Sequence, residues 1–339
     1  MAIDKVDLRS DTVTRPCASM MQAMQNAVVG DDVYEEDPTV IELQNTLSKM
    51  TGHEAGLFFP SGVQSNLVAL LTQLGRGDEY IVAQNAHTYK YEGGGAAALG
   101  GIQPQPIEEN AAGVMDLHKV EAAVKADDIH FAKTRLLALE NTIGGLVVPL
   151  EYMQSARDLA KNHGLHYHLD GARVFNAAVA LGRPVKELTS MFDTVSVCLS
   201  KGLGAPVGSV LVGPESFINR SKRWRKTVGG GMRQSGLLAA AGLYAIQNNV
   251  QRLSEDHALA SYLADQLRQF DDIDILRGDA QTNMVFFNLK SGRYGELLEF
   301  GKSNGVLFGG RKPVRMVTHK DISTEYIDVA IERLSQFFS

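Results

Sequence analysis

Apolar residues alternate with small or weakly polar ones through Val195, Val197 and Leu199, and a second apolar run follows from Ser209 to Val212. Alternation of this kind predicts two strands. Similar runs predict strands over Ala55–Phe59, Tyr80–Ala83, Thr134–Leu139 and Leu165–Leu169. Between them, apolar positions recur at helical spacing over Val63–Leu74, Leu117–Lys125 and Glu151–Asn162. Asp37-Pro38 opens a further helix, with Pro38 near its first position and Val40, Ile41, Leu43, Leu47 and Met50 on its apolar side. Strands and helices in turn predict an α/β chain with a mostly parallel sheet covered by helices. The short link between 194–199 and 209–212 adds one antiparallel strand.

A long helix is predicted from near Arg233 to Asn249, passing into a second that ends about Phe270. Strands follow at Asn283–Leu289 and Val314–Val317, and helices at Gly295–Ser303 and Ser323–Phe337. The chain therefore divides into an irregular, polar N-terminal arm over 1–35, a large domain over 36–249 and a smaller α/β domain over 250–339. Internal repeats and low-complexity segments are absent from the sequence.

Composition narrows the class. The chain has 339 residues, 44% apolar and 21% charged, which fits a globular protein with a large core. A net charge of −6 argues against a general nucleic-acid binder. No uncharged apolar run approaches the roughly 18 residues that span a membrane, so no membrane partner is expected. The opening MAIDKVDLRSDTVTRP has no apolar core of the kind a signal peptide needs. The cysteines, Cys17 and Cys198, form neither a disulfide framework nor a zinc spacing, which predicts a reducing, cytoplasmic setting.

Against that background four stretches carry candidate chemistry. Lys201 follows at once on the strand ending at Leu199, hemmed in by Ser200, Gly202, Gly204, Ala205, Pro206 and Gly208. Lysine is rarely buried without a partner, so it reads either as an exposed turn residue or as an amine needed at a site. The strand ending GLFF runs into Pro60-Ser61-Gly62 and a helix. Free N–H groups and the helix dipole make such a start an anion cradle, unless it is an ordinary turn. In HGLHYHLDGAR, His166, His168 and Asp170 share one strand face. That trio reads as a metal site or as core histidines. A third reading puts Asp170 at the sheet's carboxyl edge, where open α/β sheets bind ligands. Gly171-Ala172 leaves room there for a flat ligand, and Arg173 returns on the same turn. The basic run KRWRK, Lys222 to Lys226, is a solvated helix face or an anion contact. Together these parts point to pyridoxal phosphate. That cofactor needs a lysine for an imine, an acid to keep its pyridine nitrogen protonated and a cradle for its phosphate. Lys201, Asp170 and Ser61-Gly62 supply them.

The chain also resembles the low-specificity threonine aldolases, of the fold-type I superfamily of pyridoxal-phosphate enzymes. The likeness is carried by DLRSDTVTRP, VGDDVY, FPSGVQSNL, NAHTYKYEGGG, DDIHF, LALENT, HLDGARVFNA, CLSKGLGAPVGS, VGGGMRQSG and VRMVTH, spread from residue 7 to 319. It implies a large domain with a mostly parallel seven-stranded sheet and a small C-terminal α/β domain. It implies that Lys201 forms the imine, Asp170 faces the pyridinium and Arg173 contacts the cofactor's phenolic oxygen and the substrate. His87 would stack on the ring, and Ser61, Gly62 and Val63 would hold the phosphate. Arg315 with Ser10 would bind the substrate carboxylate, and His130 would lie near the β-hydroxyl. Tyr34, Lys226 and Arg233 would reach the site across an interface in a homotetramer of site-sharing dimers. Lys226 then becomes a phosphate partner, while Lys222 and Arg223 stay surface charges. There are two departures. Val63 stands where threonine is frequent, removing a hydroxyl contact, and Ile143 stands where histidine is frequent, altering the pocket edge.

The resemblance implies cleavage of threonine or allo-threonine, and of related β-hydroxy-α-amino acids, to glycine and an aldehyde. His87 and His130 have suitable chemistry for the base that takes the β-hydroxyl proton. Three rivals remain. The same scaffold can β-eliminate aromatic or sulfur amino acids, serve as a binding protein without turnover, or give way to a metal hydrolase built on His166, His168 and Asp170.

Overall fold

The computed structural model describes residues 4–310 and 312–339; residues 1–3 of the predicted arm lie outside it. Its strands are β1 (Val6–Leu8), β2 (Ala55–Phe59), β3 (Asp78–Ala83), β4 (Gln103–Ile107), β5 (Lys133–Glu140) and β6 (His166–Gly171). They continue with β7 (Thr194–Cys198), β8 (Ser209–Gly213), β9 (Ile273–Leu276), β10 (Met284–Leu289), β11 (Val306–Gly310) and β12 (Val314–Val317).

A seven-stranded sheet runs in the order β2-β8-β7-β6-β5-β3-β4. Neighbours pair in parallel from β7 to β4, and β8 runs antiparallel to both β7 and β2. This is the α/β class and the seven-stranded sheet expected, with the antiparallel strand where the short link placed it. Val195, Val197, Val210, Leu137 and Leu169 are fully buried in its main core, the pattern of strands covered on both faces. Helix Gly62–Gln73 packs on β7 and β8, and helix Leu150–Asn162 on β6.

β4 was not legible beforehand. Its sequence QPQPI carries two prolines, which lack the N–H a central strand requires. It sits at the sheet edge, bonded to β3 alone.

The second sheet has the order β1-β11-β12-β10-β9. It corrects the reading of residues 1–35 as a uniformly irregular arm. Val6, Asp7 and Leu8 pair in parallel with Val306, Leu307 and Phe308. Val6 and Leu8 are fully buried in a second core with Phe287, Val314, Met316 and Ile327. Three alternating residues are too few to register as a strand until a partner some 300 positions away supplies the ladder.

The parallel strands aim their carboxyl ends one way. β2 runs into Ser61, β3 into His87, β6 into Arg173 and β7 into Lys201. Register sets Glu140 beside Asp170, and Asp170 beside Ser196.

Candidate active site

Lys201 lies half-buried on the ten-residue turn between β7 and β8. Its carbonyl accepts from Gly204 N at 2.8 Å and from Thr14 Oγ1 at 3.0 Å. Gly204 and Gly208 take φ of +78° and +117°, which explains the glycines of this turn. A Cβ on Gly208 would meet the Phe58 ring at 2.8 Å. The backbone is thus fixed, while no described residue bonds Lys201 Nζ.

Asp170 is 4% exposed. Its Oδ1 accepts from Ala172 N at 3.0 Å and its Oδ2 from Asn66 Nδ2 at 3.0 Å. Asn66 Nδ2 also donates to Glu92 Oε1 at 2.9 Å, and that oxygen bonds His87 Nδ1 at 2.8 Å. The His87 backbone N–H donates to Glu140 Oε2 at 2.7 Å. His87, Glu92 and Asp170 each bring an atom within 4.8 Å of the others. The Glu92 bond, opposed by burial, raises the His87 pKa. It also fixes the ring's orientation and leaves Nε2 as the free nitrogen. Glu92, Glu140 and Asn66 were not singled out from the sequence. All three stood inside the quoted NAHTYKYEGGG, LALENT and FPSGVQSNL, but a motif does not say which of its side chains face one another.

Burial, with the Asp170 charge adding to it, pushes the Glu140 carboxyl up to about 7. The folded chain therefore holds this proton more tightly than the unfolded chain. That stabilisation is complete below the ordinary carboxyl pKa and is lost as pH rises through about 7. Glu140→Gln keeps an acceptor for the His87 N–H and removes the titration. In thermal melts of cofactor-free protein, the variant should match the wild type near about pH 5 and melt higher near about pH 8. A variant that melts lower at both values contradicts this.

The metal trio does not assemble among the described residues. His168 is fully buried, its Nδ1 bonds Thr194 Oγ1 at 2.8 Å, and burial holds its pKa at about 4. His166 stands at the exposed start of β6. His168 is a neutral core histidine.

Helix Gly62–Gln73 starts at the edge of β2 with Ser61 as its cap, Ser61 Oγ accepting from Gln64 N at 3.2 Å. Ser61 and Val63 are exposed, and a Cβ on Gly62 would meet nothing closer than Ser209 Oγ at 3.7 Å. The helix start is open to a ligand. The basic run has partners that its sequence does not show. Lys222 is paired with Glu35, and the buried Arg225 pairs with Asp32 at 2.8 Å and donates to Phe58 O at 3.0 Å. These contacts fasten the segment carrying Tyr34, itself 72% exposed. Arg223 and Lys226 are exposed; Arg233 is exposed too and pairs with Asp31 at 3.3 Å.

At the other end, Arg173 Nε and Nη2 donate to Asp11 Oδ2 and Oδ1 at 2.8 and 2.5 Å. Arg315, on β12, donates from Nη2 to Arg9 O at 2.9 Å, while its buried Nε has no partner. Burial, with the Arg173 charge adding to it, lowers the Arg315 pKa. Ser10 Oγ is engaged as the acceptor for Thr12 N at 3.3 Å. His130 stands apart from this group, its side chain 78% exposed and its Nδ1 bonded to Asp128 at 2.6 Å. Ile143 is a packing residue, 7% exposed in the main core, with its methyl 2.6 Å from where a Cβ on Gly113 would sit.

One edge of the sheet therefore gathers an amine without a partner among the described residues, a carboxylate held by two donors, a helix N-terminus and the Arg173 guanidinium gripped by Asp11. Comparison with known proteins agrees in kind. The model of the beta-eliminating lyase family matches residues 7–290. The low specificity L-threonine aldolase of Escherichia coli (strain K12) is 53% identical over 322 residues, covering 95% of this chain and 96% of that protein. The low-specificity L-threonine aldolase 1 of Arabidopsis thaliana is 43% identical over 347 residues, covering 99% and 97%. Among solved structures, a threonine aldolase of Leishmania major superposes with a TM-score of 0.83 at 18% identity, covering 98% and 99%. A serine palmitoyltransferase of Sphingomonas wittichii gives 0.77 at 17% identity, covering 98% and 86%. Those two likenesses speak for the fold, which carries different chemistries. On the family model and the extent of its sequence likeness, the chain belongs to the beta-eliminating lyase family, among the relatives of the low-specificity L-threonine aldolases.

Proposed function

We infer that this protein is a pyridoxal-phosphate-dependent carbon–carbon lyase. It cleaves L-threonine or L-allo-threonine, and related β-hydroxy-α-amino acids, reversibly to glycine and an aldehyde. The observation that carries this is the Lys201 amine, without a partner among the described residues, on a pinned turn at the sheet edge that also holds Asp170 and Arg173. The donor set suits the cofactor: a lysine for covalent attachment, a fixed acid and an open helix start for a phosphate. When bound, pyridoxal phosphate supplies a ring that accepts the electron pair of a bond broken at the substrate's α-carbon.

The chain's own residues do the rest. Asp170, held by Asn66 and Ala172, keeps a proton on the ring nitrogen. Ser61, Gly62 and Val63 offer backbone N–H groups to the phosphate; the Val63 side chain adds nothing to that. Arg315, Arg173 and Ser10 would bind the substrate carboxylate, and Arg173 would also hold the cofactor's phenolic oxygen. His87, oriented by Glu92, would lie over the ring when the cofactor is bound, its Nε2 left to take the β-hydroxyl proton. His130 is the second candidate for that proton. Tyr34, Lys226 and Arg233 are exposed in one chain, as are Ile129 and Phe131 beside His130. That favours a homotetramer of two site-sharing dimers, in which these residues complete a neighbour's site. The two thiols are unpaired, which suits the cytoplasm. No helix among the described residues is long and apolar enough to cross a membrane.

The deciding experiment incubates the purified holoenzyme with the four threonine stereoisomers, and with cysteine and tryptophan, and identifies products. Acetaldehyde and glycine from an L-isomer are expected. Pyruvate and ammonia from cysteine or tryptophan, without acetaldehyde from threonine, would establish the β-eliminating alternative instead. The same assay on His87→Asn and His130→Asn decides which ring takes the proton.

A further inference from the structure

The segment Arg9–Thr14 runs past Arg173, Arg315 and the backbone of Lys201, and like charges brought near one another repel. The Asp11 carboxylate lies against Arg173. Asp11 has no exposed surface and grips Arg173 with both oxygens, at 2.8 Å to Nε and 2.5 Å to Nη2. Asn283 Nδ2 donates to it at 3.2 Å. Burial alone would raise the Asp11 pKa, but the charge and bonds of Arg173 outweigh it and hold it down at about 2. The neighbouring residues are equally engaged. Arg9 O accepts from Arg315 Nη2 at 2.9 Å, and Thr14 Oγ1 donates to Lys201 O at 3.0 Å. The segment Arg9–Thr14 therefore touches all three basic residues, and Asp11 is the charge it places among them.

We propose that Asp11 is a positioning residue for amino-acid binding. By gripping Arg173 at two atoms it fixes that guanidinium in one rotamer and balances its charge beside Arg315. A substrate carboxylate then meets two preset arginines. Asp11 occupies the Nε/Nη2 edge of Arg173 and leaves Nη1 to a ligand. Without the carboxylate the guanidinium is free to turn, and two partly buried cations face each other uncompensated.

The proposal rests on the aldolase reading for its choice of probe. Asp11→Asn and Asp11→Ala holoenzymes are titrated with glycine and with glycinamide, which keeps the amine and lacks the carboxylate. Calorimetry and visible absorbance give the Kd values, and threonine turnover gives kcat and KM. Glycine Kd and threonine KM should rise about tenfold or more with kcat within about threefold, the scale of a hydrogen bond to a charged group. Glycinamide Kd should move less than about twofold, since it offers Arg173 no charge. Equal losses for glycine and glycinamide, a fall in kcat alone, or no change would overturn the proposal. Should the single variants fail to fold because Arg173 is left unpaired, Asp11→Asn with Arg173→Gln removes that charge. The pair should bind glycine as Arg173→Gln does alone, within about threefold, because Asp11 acts through Arg173; a larger loss overturns the proposal. A wild-type protein that binds neither glycine nor threonine overturns the functional reading and the proposal with it, whereas wild-type binding that the Asp11 variants retain overturns the proposal alone.

Discussion

Lys201→Ala should leave a folded protein with no visible absorbance band from lysine-bound pyridoxal. Its threonine cleavage should fall by on the order of 10³-fold or more, the scale seen when a covalent participant is removed. The fold should survive because the turn is held through the backbone. Thr14 Oγ1 and Gly204 N both bond the Lys201 carbonyl, which alanine retains. No described side chain loses a partner when Nζ is removed. Absorbance spectra, thermal melts and the acetaldehyde assay on one preparation separate these effects. A variant that stays yellow and active would exclude this lysine from the chemistry.

Arg315→Ala should cost kcat/KM about 30-fold to about 5,000-fold, because truncating one partner of a buried charge pair costs about 2–5 kcal/mol. Arg315→Lys should recover part of that, since an ammonium keeps the charge and loses the two-point fork. Stability should move little or rise. Arg315 makes one bond, to Arg9 O, leaves its Nε buried without a partner, and is pressed by Arg173. A side chain so placed is poorly satisfied without a ligand, so its removal relieves a cost. A change in kcat/KM below about threefold would mean that another cation binds the carboxylate. Loss of activity with a large fall in melting temperature would assign Arg315 to the fold instead.

Much of this site was legible in the sequence where its parts are local. Lys201 among glycines, Asp170 ahead of Gly171-Ala172-Arg173 and Ser61-Gly62 at a helix start each carry their meaning in a few residues. Strand alternation and helix period placed all three at element ends. What was missed has another character. Glu92 gains its importance from His87 and Asn66, and Glu140 from lying in register with Asp170. Asp11 gains its own from Arg173, 162 positions away. Lys222 is a surface charge, as read, but its pairing with Glu35, 187 positions earlier, was not legible. His166 and His168 looked like ligands because a shared strand face was visible, and the burial that separates them was not.

By itself, the sequence determined the α/β class, most of the larger domain's strands and helices, and the chemistry of the short segments at strand ends. These depend on periodicity, turn geometry and side-chain type, which act over neighbouring residues. Tertiary structure alone decided that Val6–Leu8 is a strand, that Gln103–Ile107 can be one despite its prolines, and that Asp11 sits against Arg173. It alone set the pKa directions of His87, Glu92 and Glu140. The physical reason is common to all of them. Ladder pairing, burial and charge coupling depend on distance in space, and the chain brings these groups together only once both sheets have formed.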